Sequence, residues 1–196
     1  MTCVTFIDFL NQRLLPKLVI PAKSTECIDL LETKNREPDL LSQVSLYDLG
    51  DFVAINHDAV DGLDVREIIP VKDLFKKCDA IILGQKNDRP YILIIDLKSK
   101  SLKIDNHKKK MRAGKLFIEM LNLFLQEYKD VFCHDQDISI WEKHYIILHC
   151  NVQKSTTGNL VPESPNTHLN PRYIFTLDKS KLSLNTLLGE KKLLLV

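Results

Sequence analysis

Two short apolar runs dominate the hydrophobic pattern of this chain. Cys78-Asp-Ala-Ile-Ile-Leu-Gly84 and Tyr91-Ile-Leu-Ile-Ile-Asp-Leu-Lys98 are rich in isoleucine and are separated by the polar stretch Gln85-Lys-Asn-Asp-Arg89. Length, composition and the turn residues between them predict two buried strands, 78–84 and 90–98, joined as a hairpin. A third run, Trp141 to Cys150, predicts another largely buried strand, and Tyr173-Ile-Phe-Thr-Leu177 a last one. Phe52-Val-Ala-Ile55 and Val65 to Ile69 predict short strands around the polar loop at Asp61-Gly62.

Helical periodicity marks other segments. From Lys108 to Lys129 the apolar positions Met111, Ile118, Leu121, Leu125 and Tyr128 follow a helical stripe. Residues 4–15 predict an amphipathic helix through Phe6, Phe9, Leu10 and Leu14, stopped by Pro16. A second helix is expected from Ser24 to about Leu31, capped by Ser24 or Thr25. Residues 39–50 predict a short helix or turn, 70–77 one helical turn, and 181–188 a short helix. Asn35-Arg-Glu-Pro38, residues 130–139 and a long polar stretch after Cys150 predict loops. The order predicts one α/β domain over 1–196, with a helical N-terminal extension over 1–50 and a core over about 65–150. A helix between strands implies a crossover and a mixed sheet covered on both faces.

Composition narrows the class. The 196 residues, 44% hydrophobic and 27% charged, have room for a substantial core. No apolar run approaches the roughly 20 residues a membrane span needs. No secretory signal is read at the N-terminus, so a cytoplasmic protein with no membrane partner is expected. Five scattered cysteines without a CxxC pair read as reduced thiols rather than a zinc site. A net charge of +1 confines any nucleic-acid contact to a local patch, or requires a partner subunit to supply the rest.

The strand ending in Asp96-Leu97-Lys98 carries an energetic oddity. Residues two apart on a strand share a face, so an apolar strand delivers a carboxylate and an ammonium to one side. Buried charges are costly unless paired, bound to metal or open to a cleft. Asp79, at the start of the neighbouring strand, is the natural companion.

Asp79 followed by Asp96-Leu97-Lys98 resembles the catalytic signature of the PD-(D/E)xK nuclease superfamily. The resemblance covers about residues 65–150, although Cys78 stands where the pattern has proline. It implies a restriction-endonuclease-like mixed β-sheet flanked by helices, and Mg²⁺ or Mn²⁺ held by Asp79, Asp96 and the backbone of Leu97. Lys98 is then the third catalytic residue. An upstream glutamate often completes such a site, with Glu26, Glu32 and Glu67 all open here. Carboxylates suit these hard cations, which activate water and clamp phosphate. Flanking carboxylates oppose a basic role for Lys98, so positioning and electrostatic roles are favoured.

Lys108, Arg112 and Lys115, with Lys109 and Lys110 beside them, lie at the head of the long helix. On this resemblance they would meet a phosphate backbone, unless they form an ordinary solvated face. Gly114 in that helix implies close packing or close approach of a phosphate. His144 and His149 fall on opposite faces of their strand and read as structural, and His57 has nothing in the sequence to bring it near Asp79. Ser99 and Ser101 lack a histidine partner, and no Walker or Rossmann loop is present. The expected function is a metal-dependent nuclease acting on DNA rather than RNA, as a subunit of a defence or restriction-type complex. The alternative is the same fold used, without catalysis, as a binding or assembly subunit. The apolar tail Leu187-Leu-Gly-Glu-Lys-Lys-Leu-Leu-Leu-Val196 favours a protein partner or homo-oligomer.

Overall fold

The computed structural model describes residues 5–14, 16–31, 43–59, 76–98, 104–132, 136–150, 159–160, 165–176 and 180–188. The elements are α1 (Phe6–Arg13), β1 (Ala22–Ser24), β2 (Cys27–Leu31), β3 (Gln43–Tyr47), β4 (Asp51–Asn56), β5 (Ala80–Lys86), β6 (Arg89–Lys98), α2 (Ile104–Glu127), α3 (Lys129–Phe132), β7 (Glu142–Cys150), β8 (Asn159–Leu160), β9 (Arg172–Thr176), β10 (Ser180–Ser183) and α4 (Leu184–Leu188). They build an α/β structure with two mixed sheets. The larger runs β4-β5-β6-β7-β9-β8 and the smaller β1-β2-β3-β10.

The larger sheet grows from the β5–β6 hairpin. Asn87 and Asp88 both have positive φ, at 50° and 60°. Such a pair makes the two-residue turn whose twist suits a hairpin. That turn sets the register, from Lys86 opposite Arg89 to Ala80 opposite Ile95. After β6 the chain crosses over through α2 and returns as β7, parallel to β6, and β9 then adds parallel to β7.

Alternation along the strands divides the core. Ile81, Leu83, Ile92 and Ile94 face α1 and α2, packing with Phe6, Phe9, Met111, Ile118 and Leu125. Ile82, Leu93, Ile95 and Leu97 face the smaller sheet, against Ile28, Leu30, Val44 and Leu46. Thus helices cover one face and a second sheet, with α4, covers the other.

That second sheet corrects several expectations. Ser24 to Leu31 is not a helix but the end of β1 and the strand β2, whose buried positions Ile28 and Leu30 alternate. The expected short helix or turn over 39–50 is, in its described part from residue 43, the strand β3 followed by the connection to Gly50, and 181–188 divides into the rest of β10 and α4. Among the described residues of the N-terminal extension, α1 and a 3₁₀ turn at Pro16–Leu18 are helical and the rest is dominated by β1, β2 and β3. The central sheet is covered on both faces, by α1 and α2 on one side and, beyond the expected helices, by a second sheet together with α4 on the other. The expected strand at 65–69, most of the helical turn at 70–77 and the tail beyond residue 188 lie outside the described residues. No described helix is long and apolar enough to cross a membrane.

Gly114 has a packing role. A Cβ there would lie 2.6 Å from Ile94 Cγ2 and 3.2 Å from Cys78 Sγ. Glycine lets α2 seat directly on β6 and on Cys78 just ahead of β5, one turn beyond Lys110.

Candidate active site

The hairpin register brings the first acid to the second. Ala80 pairs with Ile95, so the next step along both strands sets Asp79 across from Asp96. The Asp79 amide donates to the Ile95 carbonyl at 3.0 Å, extending the ladder to this point. Both residues continue the alternation that faces α2. Lys98 follows on the same face, two positions further. The Asp79 carboxylate turns to the backbone of the triplet, accepting the Leu97 N–H at Oδ2, 2.5 Å away. Asp79, Asp96, Leu97 and Lys98 therefore converge at the carboxyl end of β6.

Helix α2 supplies two further members. His107 Nδ1 lies 3.0 Å from Asp96 Oδ2, and Lys110 Nζ donates to Asp96 Oδ1 at 2.5 Å. Lys98 Nζ is 3.4 Å from the same Oδ1, and Lys110 Nζ is 3.9 Å from Asp79 Oδ1. Exposure is graded across the group. Asp96 is fully buried and the His107 side chain is 2% exposed, whereas Lys110, Asp79 and Lys98 are 12%, 18% and 21% exposed. The cluster thus has a closed floor and an edge open to solvent. The Tyr173 ring stands edge-on to His107 at 6.4 Å, closing the side toward β9.

Electrostatics follow from this grading. Burial alone would raise the Asp96 carboxyl, but the His107 hydrogen bond and the Lys110 and Lys98 ammoniums override it and hold Asp96 well below the usual range. Burial, and then the charge of Asp96 opposite, push Asp79 up to about 7. Lys110 is held above its ordinary value: burial opposes its charge, and the two carboxylates outweigh burial. A divalent cation needs oxygen donors at a common point, and both acids already reach toward one ammonium. Asp79, 18% exposed beside the fully buried Asp96, gives the pair solvent access on one side, which suits Mg²⁺ because that ion keeps several waters. Among the described residues no set of three or more His, Cys, Asp and Glu is arranged to hold a metal ion. Of the three candidate upstream acids, Glu26 lies in the β1–β2 turn of the smaller sheet, and Glu32 and Glu67 lie outside the described residues.

The remaining candidates separate. Lys108 is half-buried, and Lys109 and Arg112 are exposed on α2. Lys115 Nζ lies 3.4 Å from Glu119 one turn on. It is Lys110, not the Lys108–Arg112–Lys115 stripe, that enters the site. His149 pairs with Lys98 and His144 with Leu93, so the two histidines do take opposite faces. His57 sits behind Asp79: its Nδ1 accepts the Cys78 N–H at 3.2 Å and lies 3.1 Å from Cys78 Sγ. Burial lowers the His57 imidazole to about 4 and raises the Cys78 thiol, so this pair is neutral and structural. Cys27 and Cys78 are free thiols.

His107 is absent from the sequence-derived set and Lys110 enters it only as a neighbour of the basic stripe, yet the signal of both lies in the phase of α2. Met111, Gly114 and Ile118 face the sheet, and His107 and Lys110 precede Met111 and Gly114 by four positions each. Comparison with known proteins finds no matching family model, no matching curated protein and no matching solved structure.

Proposed function

We propose that this chain is a metal-dependent nuclease of the restriction-endonuclease-like kind. The observation that carries the reading is the convergence of Asp79, Asp96 and Lys98 at the partly open end of β6. The order of an antiparallel hairpin, a basic-headed helix and a parallel return strand supports it. Asp79, Asp96 and the backbone of Leu97 would hold Mg²⁺ or Mn²⁺, which supplies an activated water and neutralises charge on the phosphoryl group. Lys98, at the rim, orients that water or takes a phosphate oxygen. His107 fixes the Asp96 carboxylate in one orientation, as hydrogen-bonded partners do for ligating groups. Lys108, Lys109 and Arg112 offer positive charge for the flanking phosphates. DNA is favoured over RNA because most nucleases of this kind cut DNA, an argument by analogy. A defence or restriction-type complex, with a partner subunit for recognition, is the setting we infer.

One observation favours a second reading, in which the fold serves assembly without catalysis. Both oxygens of Asp96 already have partners within the protein. The deciding assay is cleavage of plasmid, single-stranded DNA and RNA with Mg²⁺ or with EDTA. Mg²⁺-dependent cleavage by the wild type and its loss in Asp96→Asn are expected. Equal activity in the two proteins, or none in either, overturns the nuclease reading.

A further inference from the structure

Lys110 places its ammonium between the two acids that would hold a cation. Its ammonium lies 2.5 Å from Asp96 Oδ1 and 3.9 Å from Asp79 Oδ1. The other Asp96 oxygen faces His107 at 3.0 Å. Asp96 is also fully buried, so a cation that reaches it has to take the place of one of these donors. His107 is poorly placed to leave, being buried on the sheet-facing side of α2 beside Tyr173. Lys98 makes the longer contact, 3.4 Å, and already lies at the rim. Lys110 has a flexible four-carbon stem and a side chain 12% exposed, so its ammonium has a path to solvent. It also makes the shortest contact to the acid that the cation needs.

We propose that Lys110 is an internal counter-cation: it closes the site without metal, and a divalent cation displaces its ammonium from Asp96. This rests on the metal-dependent reading above. Two carboxylates facing each other across adjacent strands repel, and one positive charge between them stabilises the pair. An ammonium fills that place without cofactor and opposes entry of competing ions. The cation must then outcompete a charge-assisted hydrogen bond as well as lose water, which weakens its apparent affinity. Once displaced, Lys110 stands at the rim beside Lys98.

The test is Mn²⁺ binding to the full chain, followed by loss of the free-ion electron paramagnetic resonance signal. Lys110→Met is expected to bind Mn²⁺ at least about tenfold more tightly than the wild type, since it removes the competitor and keeps both acids. Asp96→Asn is expected to lose binding. Mn²⁺ bound by the wild type, and equally or more weakly by Lys110→Met, overturns this inference and leaves the metal-dependent reading standing. No binding by either protein overturns both. A second measurement needs no substitution: reductive methylation of wild-type Lys110, followed by mass spectrometry with and without Mn²⁺. Labelling at Lys110 is expected to accelerate several-fold with the cation, while exposed Lys23 stays constant. Unchanged labelling in a protein that binds Mn²⁺ overturns the inference, even where Lys110→Met does not fold.

Discussion

Gly114→Ala separates helix propensity from tertiary packing, and the two predict opposite signs. In an isolated helix the change would stabilise by about 1 kcal/mol, because alanine loses less backbone entropy than glycine. Here the new methyl would start 2.6 Å from Ile94 Cγ2 and 3.2 Å from Cys78 Sγ. Carbon atoms pack at about 3.5–4.0 Å, so roughly an ångström must be found. Ile94 and Cys78 are fully buried, and the Ile94 branch sits next to its own backbone, so neither is a loose end that can swing aside. Overpacking of this kind costs about 1–3 kcal/mol. The expected net effect is a loss of about 1 kcal/mol, or a fall in Tm of about 2–4 °C. Equilibrium urea unfolding measures it. The same substitution made in an Ile94→Ala background, where Cγ2 is gone, should be neutral or stabilising. A Gly114→Ala protein as stable as the wild type, or an identical effect in both backgrounds, refutes the close approach of α2 to β6.

Other outcomes test the polar cluster. Asp79 is held up to about 7 against an ordinary value of 3.8, so between those pH values the native state keeps a proton the unfolded chain has released. Metal-free wild type should therefore lose stability relative to Asp79→Asn as pH rises through that window, and the difference should level off above it. Asp96 has the opposite sign: held low, it adds stability above 3.8 that fades as pH falls. Parallel profiles for wild type and Asp79→Asn would contradict the placement of Asp79 beside Asp96. His107→Ala removes a charge-assisted bond to a buried carboxylate, worth about 1.5–3 kcal/mol, and leaves a cavity. A loss of at least about 2 kcal/mol in urea unfolding is expected, and one below about 0.5 kcal/mol would rule out the His107–Asp96 contact.

The sequence alone determined the elements whose signal is local. The apolar runs that became β5, β6 and β7 are buried in the larger sheet, and their composition and turns sufficed to read them. The short turn at Asn87-Asp88 sets a register that carries Asp79 to Asp96, so most of this part of the site was legible as well. Tertiary structure decided the smaller sheet. Cys27 to Leu31 is short enough for its apolar residues to suit either period, and becomes a strand because β3 lies alongside it. β3 in turn pairs in parallel with β10, far away in sequence, a contact no local window contains. Tertiary structure also decided which basic residue matters. Composition along α2 draws attention to its exposed lysines and arginine, but only the seating of Gly114 on Ile94 determines which side of the helix meets Asp96. That seating delivers His107 and Lys110 to the carboxylate, because a buried charge must find partners and the helix face against the sheet is where they can be.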